Sequence, residues 1–202
     1  MELVVATKNL KKLKEIKAIL RPFNLSVTSL TDYPQAPRII ENGKTFQENA
    51  VKKALKIARF TQKLTLGEDS GLCVDALNGA PGVYSSRFSG RDKSDGKNNL
   101  KLLKLLRGLP LNKRKAHYVC AVALADKDGI VGIAGGRCSG KIGFALKGSA
   151  GFGYDPLFVI PKYNKTFAQL GEKIKHRLSH RYHALEKAGK IIQKYIEKQA
   201  AN

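Results

Sequence analysis

The sequence predicts an α/β protein built on a mixed β-sheet. Three observations point there. Apolar runs of strand length alternate with stretches whose apolar residues recur at helical spacing. Two apolar runs, 116–125 and 130–138, flank Lys127-Asp128-Gly129 as the arms of a hairpin flank its turn, so the sheet is not wholly parallel. Of the 202 residues, 43% are hydrophobic, enough to bury a sizeable core. No internal repeat or flexible linker divides the chain, which reads as one domain, 1–202.

Taken in order, residues 2–6 read as a short buried strand. Thr7-Lys8-Asn9 follows as a polar turn. Leu10, Leu13, Ile16 and Leu20 then form a helical stripe that Arg21-Pro22 ends. A second strand is expected near 25–30. Thr45-Phe46-Gln47-Glu48 has the form of a capping box, predicting a helix over about 46–61. Leu64–Glu68 reads as a strand stopping in a glycine-flanked acidic turn, Gly67-Glu68-Asp69-Ser70-Gly71. A strand ending this way presents carboxylates at a sheet edge rather than burying them. Leu72–Val74 is a further buried segment. Another helix is expected from Asp92, with Leu100, Leu103 and Leu106 inward and Gly108 and Pro110 stopping it. Residues 148–156 form a glycine-punctuated loop, and Ser179 is placed to cap a last helix with Leu185, Ile191 or Ile192, Tyr195 and Ile196 on its apolar stripe.

Charge is the most unusual bulk property. Lys plus Arg number 37 against 16 acids, a formal charge of +21. Such basicity raises the alternative of a nucleic-acid-binding module. The bases run along the whole chain, however, largely on polar helix faces such as Lys11-Lys12, Lys52-Lys53 and 187–198. This favours a solvated basic surface with only nonspecific, salt-sensitive adhesion to nucleic acid. Cys73, Cys120 and Cys138 are odd in number and lack C-x-x-C spacing, so they read as buried thiols of a reducing compartment. The four-residue apolar run Leu3 to Ala6 is too short for a signal peptide or a membrane span. These features together read as a soluble cytoplasmic protein.

Acids are scarce, yet five of the 16 (Glu41, Glu48, Glu68, Asp69, Asp75) fall between positions 41 and 75. A knot of carboxylates in so basic a chain suggests a hard cation such as Mg²⁺, which takes one or two protein carboxylates and leaves the rest to phosphate and water. Glu48 is equally explained by the capping box, and Glu68 by support of the turn. Asp69 reads either as the residue that activates an attacking water or as an Asx-type turn former. The strand–helix junction Thr7-Lys8-Asn9-Leu10-Lys11-Lys12 combines helix-end amides with lysines and favours phosphate, or is simply a helix cap. In Gly151-Phe152-Gly153-Tyr154-Asp155-Pro156, the two rings share a side of an extended segment and can floor a nucleobase, with Asp155 facing its edge; burial in the core is the plainer alternative. Lys175-His176-Arg177-Leu178-Ser179-His180-Arg181 concentrates hydrogen-bond donors near a helix start.

Together and in this order, several segments resemble the inosine/xanthosine triphosphate pyrophosphatase family over essentially the whole chain. They are Thr7-x-Asn9-x-x-Lys12, Glu41-x-Gly43-x-Thr45-Phe46-x-Glu48-Asn49-Ala50 and Glu68-Asp69-Ser70-Gly71-Leu72, followed by Gly79-Ala80-Pro81-Gly82-Val83-Tyr84-Ser85-x-Arg87, Gly151–Pro156 and Ser179-His180-Arg181. The resemblance implies a long mixed sheet flanked by helices, two lobes around a central substrate cleft, and usually a homodimer. It implies Mg²⁺-dependent hydrolysis of deaminated purine nucleoside triphosphates (ITP, dITP, XTP) to monophosphate and pyrophosphate, with other modified nucleotides as alternative substrates. Asp69 carries over as catalytic base and metal carboxylate, and Glu41 as its metal partner. Thr7, Lys8, Asn9, Leu10, Lys11, Lys12 and Ser70 carry over as substrate-binding residues. Phe152, Gly153, Tyr154 and Asp155 carry over as the nucleoside pocket, with Lys175, His180 and Arg181 as further substrate contacts. The chain departs from the pattern at Lys8 and Lys11, where small residues are common, and at Tyr182, where glycine often follows the arginine. A lysine at position 8 is strained if its φ is positive.

Overall fold

A computed structural model describes residues 1–201. The strands are β1 (Glu2–Val5), β2 (Ser26–Ser29), β3 (Thr65–Val74), β4 (Lys115–Ala125), β5 (Ile130–Ile142), β6 (Phe158–Ile160) and β7 (Lys165–Thr166). The helices are α1 (Leu10–Leu20), α2 (Phe46–Thr61), α3 (Asp95–Leu105), α4 (Phe167–Leu178) and α5 (His180–Ala200). The strands hydrogen-bond in the order β2-β1-β3-β4-β5-β6-β7. β1 pairs parallel with β2 and β3, and β6 pairs antiparallel with β5 and β7. The fold is therefore α/β on a mixed sheet, as its alternating pattern predicted.

The chain divides into two compact units, and β3, β4 and β5 each contribute residues to both. The first unit comprises Met1–Asp69, Cys120–Gly136 and the residues from Arg181 on. Its largest core cluster joins Leu3 and Val5 of β1, Ile16 and Leu20 of α1, Leu66 of β3, Val122 and Leu124 of β4, and Leu185 and Ile192 of α5. The second unit comprises Ser70–Val119 and Arg137–His180. Its core gathers Leu72, Val74, Leu102, Leu106, Ile142, Phe158 and Phe167.

Local chemistry explains most boundaries. Asn9 caps α1 by accepting the Lys12 amide, and Thr45 caps α2 by accepting the Glu48 amide. The box at α2 closes one residue early, because the Glu48 carboxylate takes the Lys44 amide at 2.8 Å. Ser94 caps α3, so that helix starts at Asp95 and not at Asp92. Between β4 and β5 the Asp126 carboxylate accepts the amides of Asp128 (2.9 Å) and Gly129 (3.1 Å), an Asx-type turn.

Two expectations are corrected. The acidic segment at 67–71 is not a turn, because β3 runs unbroken from Thr65 to Val74 and buries both Glu68 and Asp69. Neither Gly67 nor Gly71 has a left-handed backbone. Gly67 instead supplies room, since a Cβ there would lie 2.1 Å from the Ala50 carbonyl oxygen on α2. The inward face of α3 runs through Leu102 and Leu106, with Leu103 partly buried, while Leu100 is 62% exposed. α4 is not among the helices expected from the sequence, although Phe167, Leu170, Ile174 and Leu178 recur at helical spacing; it kinks at Gly171 (φ 76°) and begins with a closed capping box between Thr166 and Gln169.

Candidate active site

In the first unit, β1 delivers the chain to the 7–12 segment. The Thr7 hydroxyl accepts the Asn9 amide at 3.1 Å, and Asn9 in turn caps α1. Lys8, Leu10 and Lys11 are exposed around this cap. Lys8 is not among the residues with positive φ, so lysine sits there without left-handed strain. Lys12 points back and pairs with Glu68, Nζ to Oε2 at 2.8 Å.

Packing of α2 on β3 builds the next layer. Ala50, Ala54 and Ala58 form the face of α2 that packs with small residues of β4, and Gly67 lets the helix backbone approach β3 closely. That approach brings Asn49 and Lys53 to Asp69. Asn49 Nδ2 donates to Asp69 Oδ2 at 3.0 Å, and Asn49 Oδ1 accepts the Gly43 amide at 2.8 Å. Lys53, only 6% exposed, donates to the Glu68 carbonyl oxygen (3.1 Å) and pairs with Asp69 Oδ1 (3.4 Å) and Glu41 Oε2 (2.8 Å). Burial pushes the Asp69 carboxyl above the usual aspartate range, against the pull of Lys53 and Lys12. Burial alone would lower Lys53, but the Asp69 and Glu41 carboxylates hold it above the ordinary lysine value.

Glu68 faces a second set of donors. Its Oε1 accepts Arg181 Nη2 at 3.0 Å and the Cys120 thiol at 3.3 Å. Arg181 is 1% exposed and pairs also with Glu15. Burial works against the Arg181 charge, and the Glu68 and Glu15 carboxylates outweigh it. Burial also drives the Cys120 thiol well above its ordinary range, so it stays a protonated donor.

In the second unit, Ser70 follows Asp69 along β3 and is half-buried. The 151–155 segment is not extended. Gly151 and Gly153 take left-handed φ of 81° and 63°, and the two rings part company. Tyr154 enters the core, with its hydroxyl donating to the Ser85 carbonyl at 2.9 Å. Phe152 stays half-buried under Lys175, whose Nζ lies 4.5 Å from the ring centroid. Asp155 Oδ2 accepts both the Phe152 amide (2.9 Å) and Lys175 Nζ (2.6 Å). His180 stacks on Tyr118, with centroids 4.6 Å apart and planes 10° from parallel.

The fold thus brings Lys12, Glu41 and Asp69 together in one unit, and Phe152, Asp155 and Lys175 in the other. Sequence reasoning treated Lys53 as a surface lysine, read Cys120 as a buried thiol, which it is, and gave no role to Asn49 or Glu15. A signal existed for Asn49, Lys53 and Glu15. Asn49 and Lys53 flank Ala50 and Ala54 on the buried face of an amphipathic helix, where a polar residue needs a partner. Glu15 interrupts the apolar face of α1 in the same way.

The two carboxylates are oxygen donors of the kind a hard cation takes, with Lys53 as their counter-ion in this structure. Glu41 Oε2 and Asp69 Oδ1 converge on one ammonium, which marks a place for positive charge between them. No cluster of three or more acidic, histidine or cysteine side chains forms a ready cage among the described residues. Two carboxylates, with phosphate and water completing the shell, are what Mg²⁺ normally uses.

Residues 3–191 match the model of the Ham1 family. The dITP/XTP pyrophosphatase of Desulforamulus reducens is 48% identical over 200 residues, covering 98% of this chain and 100% of that protein. That of Exiguobacterium sibiricum is 48% identical over 93% of this chain and 94% of its own. Among solved structures, a HAM1 protein from Coxiella burnetii superposes with a TM-score of 0.87 at 36% identity, covering 96% and 99% of the two chains. The Staphylococcus aureus Ham1 protein gives 0.85 at 36% identity over 96% and 100%.

Proposed function

The chain belongs to the Ham1 family, and on that premise we propose that it hydrolyses deaminated purine nucleoside triphosphates (dITP, XTP and ITP) to monophosphate and pyrophosphate with Mg²⁺. The observation that carries this reading is the Asp69 carboxylate, buried, raised in pKa and held between Asn49 and Lys53 beside Glu41. A carboxylate whose affinity for protons is raised toward working pH, yet oriented by fixed donors, suits a general base.

In this reading Asp69 accepts the proton of the attacking water as the anhydride bond between the α- and β-phosphates breaks. Pyrophosphate is the leaving group. Glu41 and Asp69 would hold Mg²⁺, which would supply Lewis-acid polarisation of the phosphoryl oxygens. Lys12 and Lys53 neutralise charge developing on the tail. The Thr7–Lys12 segment and Ser70 take phosphate and sugar oxygens. Phe152 supplies a ring face for the base, and Lys175 and His180 serve as donors to its 6-oxo group. An adenine amino group would leave such donors unpaired, which can reject the wrong base by about 10⁴-fold.

The same reading includes a homodimer and a cytoplasmic setting. The dimer comes from the family resemblance and the setting from the sequence; among the described residues Cys73, Cys120 and Cys138 form no disulfide and no helix is long and apolar enough to cross a membrane. Sedimentation velocity tests the dimer. The function is tested by pyrophosphate release from ITP, XTP, dITP, GTP and ATP, with Mg²⁺ and with a chelator. The expected result is turnover of the three deaminated nucleotides far above ATP, lost on chelation; equal turnover of all five would refute the specificity.

A further inference from the structure

Both backbone hydrogen-bonding groups of Gly153 are held by one helix. The Gly153 amide donates to Asp95 Oδ2 at 2.8 Å, and the Gly153 carbonyl accepts from Asn99 Nδ2 at 2.9 Å. Asp95 and Asn99 are four residues apart on α3 and so share one of its faces. Gly153 sits between Phe152 and Tyr154 in a left-handed conformation, φ 63°, where a small change in backbone torsion would redirect both flanking rings. A Cβ on Gly153 would meet nothing within 4 Å, so the conformation is set by these hydrogen bonds and by the residue's torsional freedom, not by crowding. The neighbouring contacts depend on the same backbone: the Phe152 amide reaches Asp155, and Lys175 lies over the Phe152 ring while pairing with Asp155.

Asn99 makes this arrangement at a cost. It is 4% exposed, and its Oδ1 is buried without a hydrogen bond from the described residues. An apolar residue of similar volume would avoid that unmet acceptor. The asparagine is therefore explained by what its Nδ2 holds.

We infer that Asp95 and Asn99 are positioning residues for base selection. By clamping the Gly153 backbone on both sides from α3, they fix the plane of the Phe152 ring and the Asp155–Lys175 pair against which a purine is measured. The inference rests on the proposed nucleotide reading of the Gly151–Asp155 loop. It adds α3 to the specificity machinery.

The test compares Asp95→Ala, Asn99→Ala and Asp95→Asn with the unaltered protein. Asparagine at 95 keeps an oxygen that can accept the Gly153 amide, so it serves as the conservative rescue. Hydrogen–deuterium exchange of peptides covering 149–157 reads the clamp without any substrate. Steady-state kinetics on ITP and ATP read selectivity. Both alanine variants are expected to exchange faster in that segment, to raise KM for ITP by about tenfold with kcat little changed, and to cut the ITP-to-ATP ratio of kcat/KM by about tenfold. Asp95→Asn is expected to restore all three. Unchanged exchange in the alanine variants would overturn the clamp. Faster exchange with an unchanged ITP-to-ATP ratio would overturn its role in selection while leaving the activity standing. An unaltered protein with no preference for ITP would overturn the nucleotide reading itself and the inference with it.

Discussion

Asn49 Nδ2 donates to Asp69 Oδ2 at 3.0 Å, while the oxygen of the same amide holds the Gly43 amide at 2.8 Å. One buried side chain therefore ties the loop that carries Glu41 to the strand that carries Asp69. The pair is rigid because both ends of the amide are used. Asn49→Ala is expected to lower kcat/KM for ITP by about 10- to 100-fold, the range for losing a hydrogen bond to a charged group. The fall should appear mainly in kcat, since an orienting contact to the base matters most in the transition state.

The raised pKa of Asp69 sets the acid side of the pH–rate profile. Burial favours the protonated carboxyl, so the ionised base appears only above the ordinary aspartate value of about 4. The acid limb of kcat/KM should therefore lie higher than an exposed aspartate would place it. Removing the Asn49 donor takes away an interaction that favours the charged form, so Asn49→Ala should move that limb to still higher pH. A profile for Asn49→Ala displaced toward acid would contradict this sign. Asp69→Asn should abolish turnover and leave nucleotide binding measurable by calorimetry.

Gly67→Ala tests the approach of α2 to β3. The added Cβ would fall 2.1 Å from the Ala50 carbonyl oxygen and 2.6 Å from the Ala54 amide nitrogen, both backbone atoms that cannot swing away. Overpacking of this kind costs about 1–3 kcal/mol. Urea denaturation should show that loss. Activity should fall further than stability explains, because the same displacement separates Asn49 and Lys53 from Asp69.

Arg181 lies between Glu15 and Glu68 in the first unit's interior. Replacing it with methionine would leave two buried carboxylates without their shared cation. Breaking a buried pair from one side costs about 3–5 kcal/mol. Combining Arg181→Met with Glu15→Gln should recover part of the loss, measurable as a positive coupling in a double-mutant cycle. Strict additivity would show that Glu15 and Arg181 do not act as a unit.

Much of the architecture can be read from the chain because its causes are local. The cap at Thr45, the stripe of α5, the turn after Ala125 and the run of β1 each depend on residues within a few positions of one another. The carboxylates of the site were visible for a similar reason, since acids are rare in this chain and cluster between 41 and 75. The family resemblance then attached roles to Asp69, Glu41 and the 151–155 loop.

Tertiary structure decided what those residues face. The glycines of 67–71 look like turn formers, and only the packing of α2 on β3 shows that Gly67 provides space within a continuous strand. Lys53 looks like one basic residue among 37, until folding buries it against Asp69 and Glu41. Arg181 lies 166 positions from Glu15 and 113 from Glu68, distances over which no periodicity reports contact. Sequence records which groups can ionise or donate. Long-range packing sets how much water remains around them, and so which charges must pair and which carboxyl is left poised to take a proton.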